Sequence, residues 1–197
     1  MKVGLLIIFA YFLGSVPAGY LLGYFAGVDV RKAGSGNVGA TNVARVLGKR
    51  QGIWTLLADS AKGFIPAVLA VHLELDQAGT ALVGVAAFLG HLYPVFLKFK
   101  GGKGVATAFG VVLGLAPLAT VCLIALFCVV ILTTRIVSLS SIIGAAAAPF
   151  VLWLFDHPPA MIIMSALLAV MIILRHRSNI ARLFAGTEPT FGASNSR

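Results

Sequence analysis

The chain has 197 residues, 59% of them hydrophobic and only 11% charged, with a mean hydropathy of +1.00. So few charges exclude a soluble domain of this size, and continuous apolar runs without the alternation of barrel strands point to an all-α, polytopic membrane protein. The net charge of +9 then falls mainly in loops, where it suits anionic head groups and phosphorylated substrates, and no basic stretch is long enough to carry nucleic acid.

The first apolar run, 3–25, is long enough to cross about 30 Å of hydrocarbon. It lacks the charged start and small-residue cleavage site of a removable signal and reads as a retained span. Gly19, Gly23 and Gly27 recur every fourth residue as a close-packing face, and Gly14-Ser15-Val16-Pro17 predicts a kink.

Residues 31–45 follow, a cationic segment with glycines at 34, 36 and 39 and polar side chains at Ser35, Asn37, Thr41, Asn42 and Arg45. Glycines let the backbone approach a ligand closely, short polar arms supply hydrogen bonds, and an arginine fork binds phosphate bidentately. A helix starting near Asn37 would add its dipole, making the segment an anion cradle. Gly34 to Gly39 also spells G-x-G-x-x-G, but the segment follows a membrane helix and not a strand, so a dinucleotide fold is rejected.

The second run, 53–72, carries Asp59 and Lys62 one helical turn apart, either a structural ion pair or a functional one. Glu74 and Asp76 mark a loop. The third run, 79–97, contains His91 and Pro94, the histidine reading as packed and hydrogen-bonded in preference to a ligand. A second polar break, Lys98 to Gly104, places Gly101, Gly102 and Lys103 ahead of an apolar helix from Val105, again with N–H groups and a point charge for an anion. No glycine stands five before Gly102, so this is not a P-loop. Its other reading is a basic stop to the preceding span.

Residues 105–134 form one tilted span or, broken at Pro117, two short ones. Further spans cover 136–155 and 160–174, and a basic cluster from Arg175 to Arg182 precedes a polar tail. Cys122 and Cys128 lie in an apolar run without nearby histidine or acid and read as small hydrophobes. With two spans in 105–134, every basic cluster falls on one side and Glu74, Asp76 and Asp156 on the other, the positive-inside pattern. The prediction is therefore seven helices, some short or broken, with the N-terminus outside and the C-terminus cytoplasmic. Residues 1–188 read as one membrane domain, and 189–197 as a polar tail whose end, 193–197, looks like an expression remnant.

That topology puts four polar clusters, 35–45, 101–103, 135–141 and 175–182, at one face. Cations and N–H donors beside hydrocarbon suit a phosphorylated polar molecule meeting an acyl chain, stabilising charge on an attacked carbonyl and a departing phosphate. A small transporter for a phosphorylated solute is the competing class, though its site belongs near midplane. No G-x-S-x-G elbow, zinc pair H-E-x-x-H or H-x-x-x-x-D box occurs, so neither a covalent acyl-enzyme nor a metal is expected. His176, between Arg175 and Arg177, is either a basic anchor or a neutral imidazole able to accept a proton. Ser141 is either an N-cap or a site residue.

Taken in order, Gly14 to Gly23, Gly34-Ser35-Gly36-Asn37-Val38-Gly39-Ala40-Thr41-Asn42 with Arg45, Asp59 with Lys62-Gly63, His91 to Pro94, Lys100 to Thr107, and His176 with Asn179 and Arg182 resemble the bacterial acyl-phosphate:glycerol-3-phosphate acyltransferases, the PlsY family. The resemblance covers nearly the whole chain. It implies an inner-membrane enzyme with its site on the cytoplasmic face, moving a fatty acyl group from acyl phosphate to the sn-1 hydroxyl of glycerol 3-phosphate, without a cofactor, to give lysophosphatidic acid and phosphate. It further implies phosphate binding by Ser35, Asn37, Thr41 and Arg45, with Gly36, Gly39, Asn42, Gly101 and Gly102 in the same cradles. Lys103 would neutralise phosphate, and His176 with Asn179 would position the substrates, with Ser141 beside them. Partners would be the two substrates and membrane lipids, and a monomer suffices.

Overall fold

A computed structural model describes residues 1–191, so the end 193–197 lies outside the described residues. Among them there is no strand. The helices are α1 (Lys2–Ser15), α2 (Ala18–Phe25), α3 (Ala40–Leu47), α4 (Lys49–His72), α5 (Gln77–Leu92), a 3-10 turn Val95–Leu97, α6 (Val105–Leu115), α7 (Pro117–Thr134), α8 (Val137–Leu154), α9 (Pro159–Arg175) and α10 (Arg177–Phe184). They form two compact units, Met1–Ala116 and Pro117–Arg197.

Five stretches are long and apolar enough to cross a bilayer: Lys2–Phe25, Lys49–His72, Gln77–Leu97, Pro117–Thr134 and Val137–Leu154. The pair α9 and α10 bends by 60° and makes a sixth if counted as one, and α6 is a shorter apolar helix. Large apolar side chains stand outward on these helices, Leu118, Leu132, Ile163 and Leu174 among them, as lipid-facing surfaces require. The chain is a multi-pass, all-helical membrane protein.

The breaks follow local chemistry. Pro17 lacks an N–H and interrupts the first stretch between α1 and α2, and Pro117 starts α7 immediately after α6 ends. The 105–134 run is thus two helices. α4 begins earlier than the apolar run at 53, because Gly48 at φ 99° ends α3 and lets a polar first turn, Lys49 to Gly52, join the helix.

In the first unit α4 packs against α1, α3, α5 and α6, and α1 against α5. Small residues permit this. A Cβ at Gly14 would collide with the carbonyl of Ala87, at Gly90 with that of Tyr11, at Gly63 with that of Thr107, and at Gly110 with that of Ser60. Close helix approach in this unit therefore runs through those four positions. Of the expected glycine face, Gly19 and Gly23 pack against the carbonyls of Val38 and Val28 in the following loop, and Gly27 has left the helix with φ 72°. One core cluster joins Leu6, Ala10, Ala70, Val83, Ala86 and Ala87. A second, Val30, Val38, Val43 and Leu97, lies under the polar loop and carries it. In the second unit α8 packs between α7 and α9, and α10 turns off the end of α9 by 60°.

Candidate functional site

The loop 27–39 is built around one side chain. Asn42, 2% exposed, accepts the N–H of Ser35 through Oδ1 at 2.7 Å, and the two protons of its Nδ2 are shared among the carbonyls of Asn37 (2.8 Å), Val30 (3.0 Å) and Ala33 (3.1 Å). Gly34, at φ 59°, passes so close to Asn42 Oδ1 that a Cβ would overlap it. The Asn42 amide is thereby engaged in shaping the loop. The helix begins at Ala40 and not near Asn37, and the N–H groups of Ser35 and Gly36 are both taken, by Asn42 Oδ1 and by the carbonyl of Ala33.

What the loop presents is different. Among the described residues the side chains of Ser35, Asn37, Thr41 and Arg45 have no partner, and neither do the N–H groups of Ala40 and Thr41 in the first turn of α3. Thr41 and Arg45 stand four apart on one exposed face of that helix, with Ser35 and Gly36 exposed and Asn37 half-buried. Gly39 caps the helix, its carbonyl accepting from Asn42 and Val43. Hydroxyls, an amide, a guanidinium and two helix-terminal N–H groups make a donor-rich patch for an anion. Beside it Arg31 pairs with Asp29 at 2.9 Å and lies over the ring of Tyr20 at 4.5 Å. The guanidinium's hydrogen bond holds the Asp29 carboxyl down at about 2.

The second glycine loop also departs from the sequence reading. The N–H of Gly101 donates to the carbonyl of Leu92 at 3.1 Å and that of Gly102 to His91 at 3.2 Å, so these glycines turn the chain and do not offer those N–H groups to a ligand. They deliver the half-buried Lys103 to the start of α6, which Gly104 opens at φ 87°. Asp59 and Lys62 form a buried ion pair at 2.7 Å, and His91 is packed and hydrogen-bonded beside them.

In the second unit His176 sits at the junction of α9 and α10, 2% exposed, with Nδ1 2.8 Å from the carbonyl of Ile172. A carbonyl only accepts, so Nδ1 carries a proton, and whenever the ring is neutral its lone pair is on Nε2. Asn179 Nδ2 donates to Glu188 Oε1 at 2.6 Å, Arg182 Nε to Glu188 Oε2 at 2.7 Å, and Ser138 Oγ to Oε1 at 2.7 Å. Ser141 is not an N-cap. It lies inside α8, buried, and bonds back to the carbonyl of Val137 at 2.9 Å.

Glu188 and Ser138 escaped the sequence reading. Glu188 looked like the edge of a featureless tail, although Gly186 at φ 67° ends α10 and turns the chain back over it. Burial alone would raise the Glu188 carboxyl, but hydrogen bonds from Ser138, Asn179 and Arg182 outweigh it and hold the group below its ordinary range. No cluster of His, Cys, Asp and Glu fit for a metal occurs among the described residues.

The family described as glycerol-3-phosphate acyltransferase matches the chain over residues 4–186. A protein named glycerol-3-phosphate acyltransferase from Geotalea daltonii is 52% identical over 94% of this chain and 96% of its own length, and one from Geobacter sulfurreducens 51% identical over 93% and 95%. Two crystal structures of PlsY, an integral membrane glycerol 3-phosphate acyltransferase, are each 44% identical and cover 98% of this chain and 96% of theirs. The glycerol 3-phosphate form superposes with a TM-score of 0.95 and the lysophosphatidic acid form with 0.92. With a match running nearly end to end and half of its residues shared with such relatives, the chain belongs to the glycerol-3-phosphate acyltransferase family.

Proposed function

We propose that this protein transfers a fatty acyl group from acyl phosphate to the sn-1 hydroxyl of glycerol 3-phosphate, releasing lysophosphatidic acid and inorganic phosphate. The observation that carries the reading is the likeness, at 44% identity and TM-scores of 0.95 and 0.92, to an enzyme crystallised in glycerol 3-phosphate and lysophosphatidic acid forms. The partnerless donors at Ser35, Asn37, Thr41 and Arg45 support it from within the chain.

Acyl phosphate is a mixed anhydride and already activated, so the protein need only position and neutralise. The glycerol hydroxyl attacks the acyl carbonyl, its C–O bond forms as the carbonyl–phosphate bond breaks, and the departing phosphate takes the hydroxyl proton. Ser35, Asn37, Thr41 and Arg45 hold phosphate, with Gly36 and Gly39 allowing close approach. Lys103 neutralises the leaving group, Gly101 and Gly102 place it, and His176 and Asn179 orient the substrates with Ser141 nearby. The enzyme works as a single seven-helix domain, 1–188, with its N-terminus outside. It lies in the bacterial inner membrane, takes its substrates at the cytoplasmic face, needs no cofactor and functions as a monomer among membrane lipids.

The test is phosphate release by the purified protein given palmitoyl phosphate with and without glycerol 3-phosphate, beside Arg45→Ala and Lys103→Ala. Release should need both substrates and collapse in the variants. Arg45 is exposed and has no partner, so its replacement should move stability by no more than about 0.5 kcal/mol. No release from folded protein would overturn the reading.

A further inference from the structure

Lys62, 5% exposed, stands one turn after Asp59 on α4, at the centre of the first unit. Its ammonium reaches Asp59 Oδ1 at 2.7 Å, the carbonyl of Val16 at 2.8 Å and His91 Nδ1 at 3.3 Å. An ammonium has three protons and no lone pair, so each contact takes one proton and His91 Nδ1 accepts, leaving the ring proton on Nε2. His91 Nδ1 is 3.8 Å from Asp59 Oδ1, too far for a hydrogen bond, so the lysine is what joins them.

Two arms leave this junction. Val16 lies in the break between α1 and α2, and three residues on Gly19 abuts the carbonyl of Val38, which belongs to the first anion loop. The carbonyl of His91 accepts the Gly102 N–H, and its Nε2 occupies the space that a Cβ on Gly102 would need, directly before Lys103. One buried cation thus anchors the roots of both polar loops.

We propose that Lys62 and His91 are positioning residues that fix the first anion loop relative to Lys103, so that both engage a phosphate in register. This rests on the phosphate-binding reading above. Neither residue need touch substrate, and each acts through the loops it holds.

The test uses two kinds of variant in the intact protein. Asp59→Asn with Lys62→Met removes both buried charges together, so neither is left unpaired. Methionine is chosen because it is unbranched and flexible, close to lysine in length, and carries no charge. His91→Leu deletes the third acceptor without touching the ion pair, and His91→Asn restores an acceptor where Nδ1 stood. The double variant and His91→Leu should raise the KM for glycerol 3-phosphate by at least about tenfold while still folding. His91→Leu should have a lowered melting temperature because a buried Lys62 N–H loses its acceptor, and His91→Asn should recover most of the loss in KM. Wild-type KM in folded His91→Leu overturns the proposal, as does a loss that follows melting temperature alone and persists in His91→Asn. Should the double variant not fold, the His91 pair decides. Calorimetric binding of glycerol 3-phosphate to the same proteins reads the positioning without turnover. An inactive wild type that still binds, and binds tenfold worse in His91→Leu, therefore refutes acyl transfer and leaves this inference standing.

Discussion

Asn42 Oδ1 accepts the N–H of Ser35 at 2.7 Å across seven residues, and the same amide shares its two protons among three carbonyls of the loop. The residue that shapes the polar loop is thus buried beneath it. Asn42→Ala should cost about 1–3 kcal/mol, the penalty for buried polar groups left without partners, and raise the KM for glycerol 3-phosphate more than it lowers kcat. Asn42→Asp keeps the acceptor for Ser35 but aims a carboxylate at three carbonyls, and should fare no better than alanine. Thermal unfolding in detergent with steady-state kinetics checks both, and a wild-type KM in Asn42→Ala would show that the loop is placed by something else.

Much of this was legible because it is local. Pro17 and Pro117 fall at helix breaks, whereas Pro66 and Pro149 lie inside α4 and α8, Gly104 and Gly48 open or terminate helices by positive φ, and Asp59 with Lys62 meet because one helical turn brings them together. The loop-shaping contacts of Asn42 were not legible because an amide in a polar, glycine-rich segment looks the same whether it faces ligand or loop, and its partners reach back twelve residues to Val30. Glu188 was missed for a similar reason. Its contact with Ser138 spans fifty residues, and no periodicity reports a pairing of that range.

The glycines supply a paired prediction. A Cβ at Gly110 would collide with the carbonyl of Ser60 at the α4–α6 contact, whereas Gly144 in α8 has nothing within 4 Å of its missing Cβ. Gly110→Ala should cost about 1–3 kcal/mol through overpacking. Gly144→Ala should stabilise by about 0.4–1 kcal/mol, because alanine loses less chain entropy in a helix. Melting temperatures of the two variants decide it, and equal shifts of the same sign would count against the packing described.

His176 separates two versions of the chemistry. Its Nδ1 proton is held by the carbonyl of Ile172 at 2.8 Å, which orients the ring. If the leaving phosphate takes the hydroxyl proton, His176→Ala should lower kcat at saturating substrate by less than about 100-fold, the lower end of general-base contributions. A larger fall, together with loss of the acidic limb of the pH profile of kcat, would assign the base to His176.

Glu188 gives the protein an acid-sensitive contact. Its carboxyl is held below the ordinary 4.5 by three donors that outweigh its burial, so the folded state binds its proton less readily than the unfolded chain. The stabilisation is therefore complete above 4.5 and lost as pH falls through the lower folded value. Hydrogen bonds to a buried charge contribute about 1.5–3 kcal/mol, and the part from Arg182, whose side chain is 39% exposed, is screened toward the low end. Glu188→Gln should consequently melt below wild type at neutral pH by about 2 kcal/mol, since its amide places a donor opposite Ser138, Asn179 or Arg182. Melting curves recorded from pH 7 downward should show the two proteins converging below 4.5, because protonated glutamic acid and glutamine are then equally neutral. A gap that stays constant with pH would mean that the carboxylate charge contributes nothing, and that the segment after Gly186 is held by its backbone bonds from Thr187 to Arg182 and from Phe191 to Arg135.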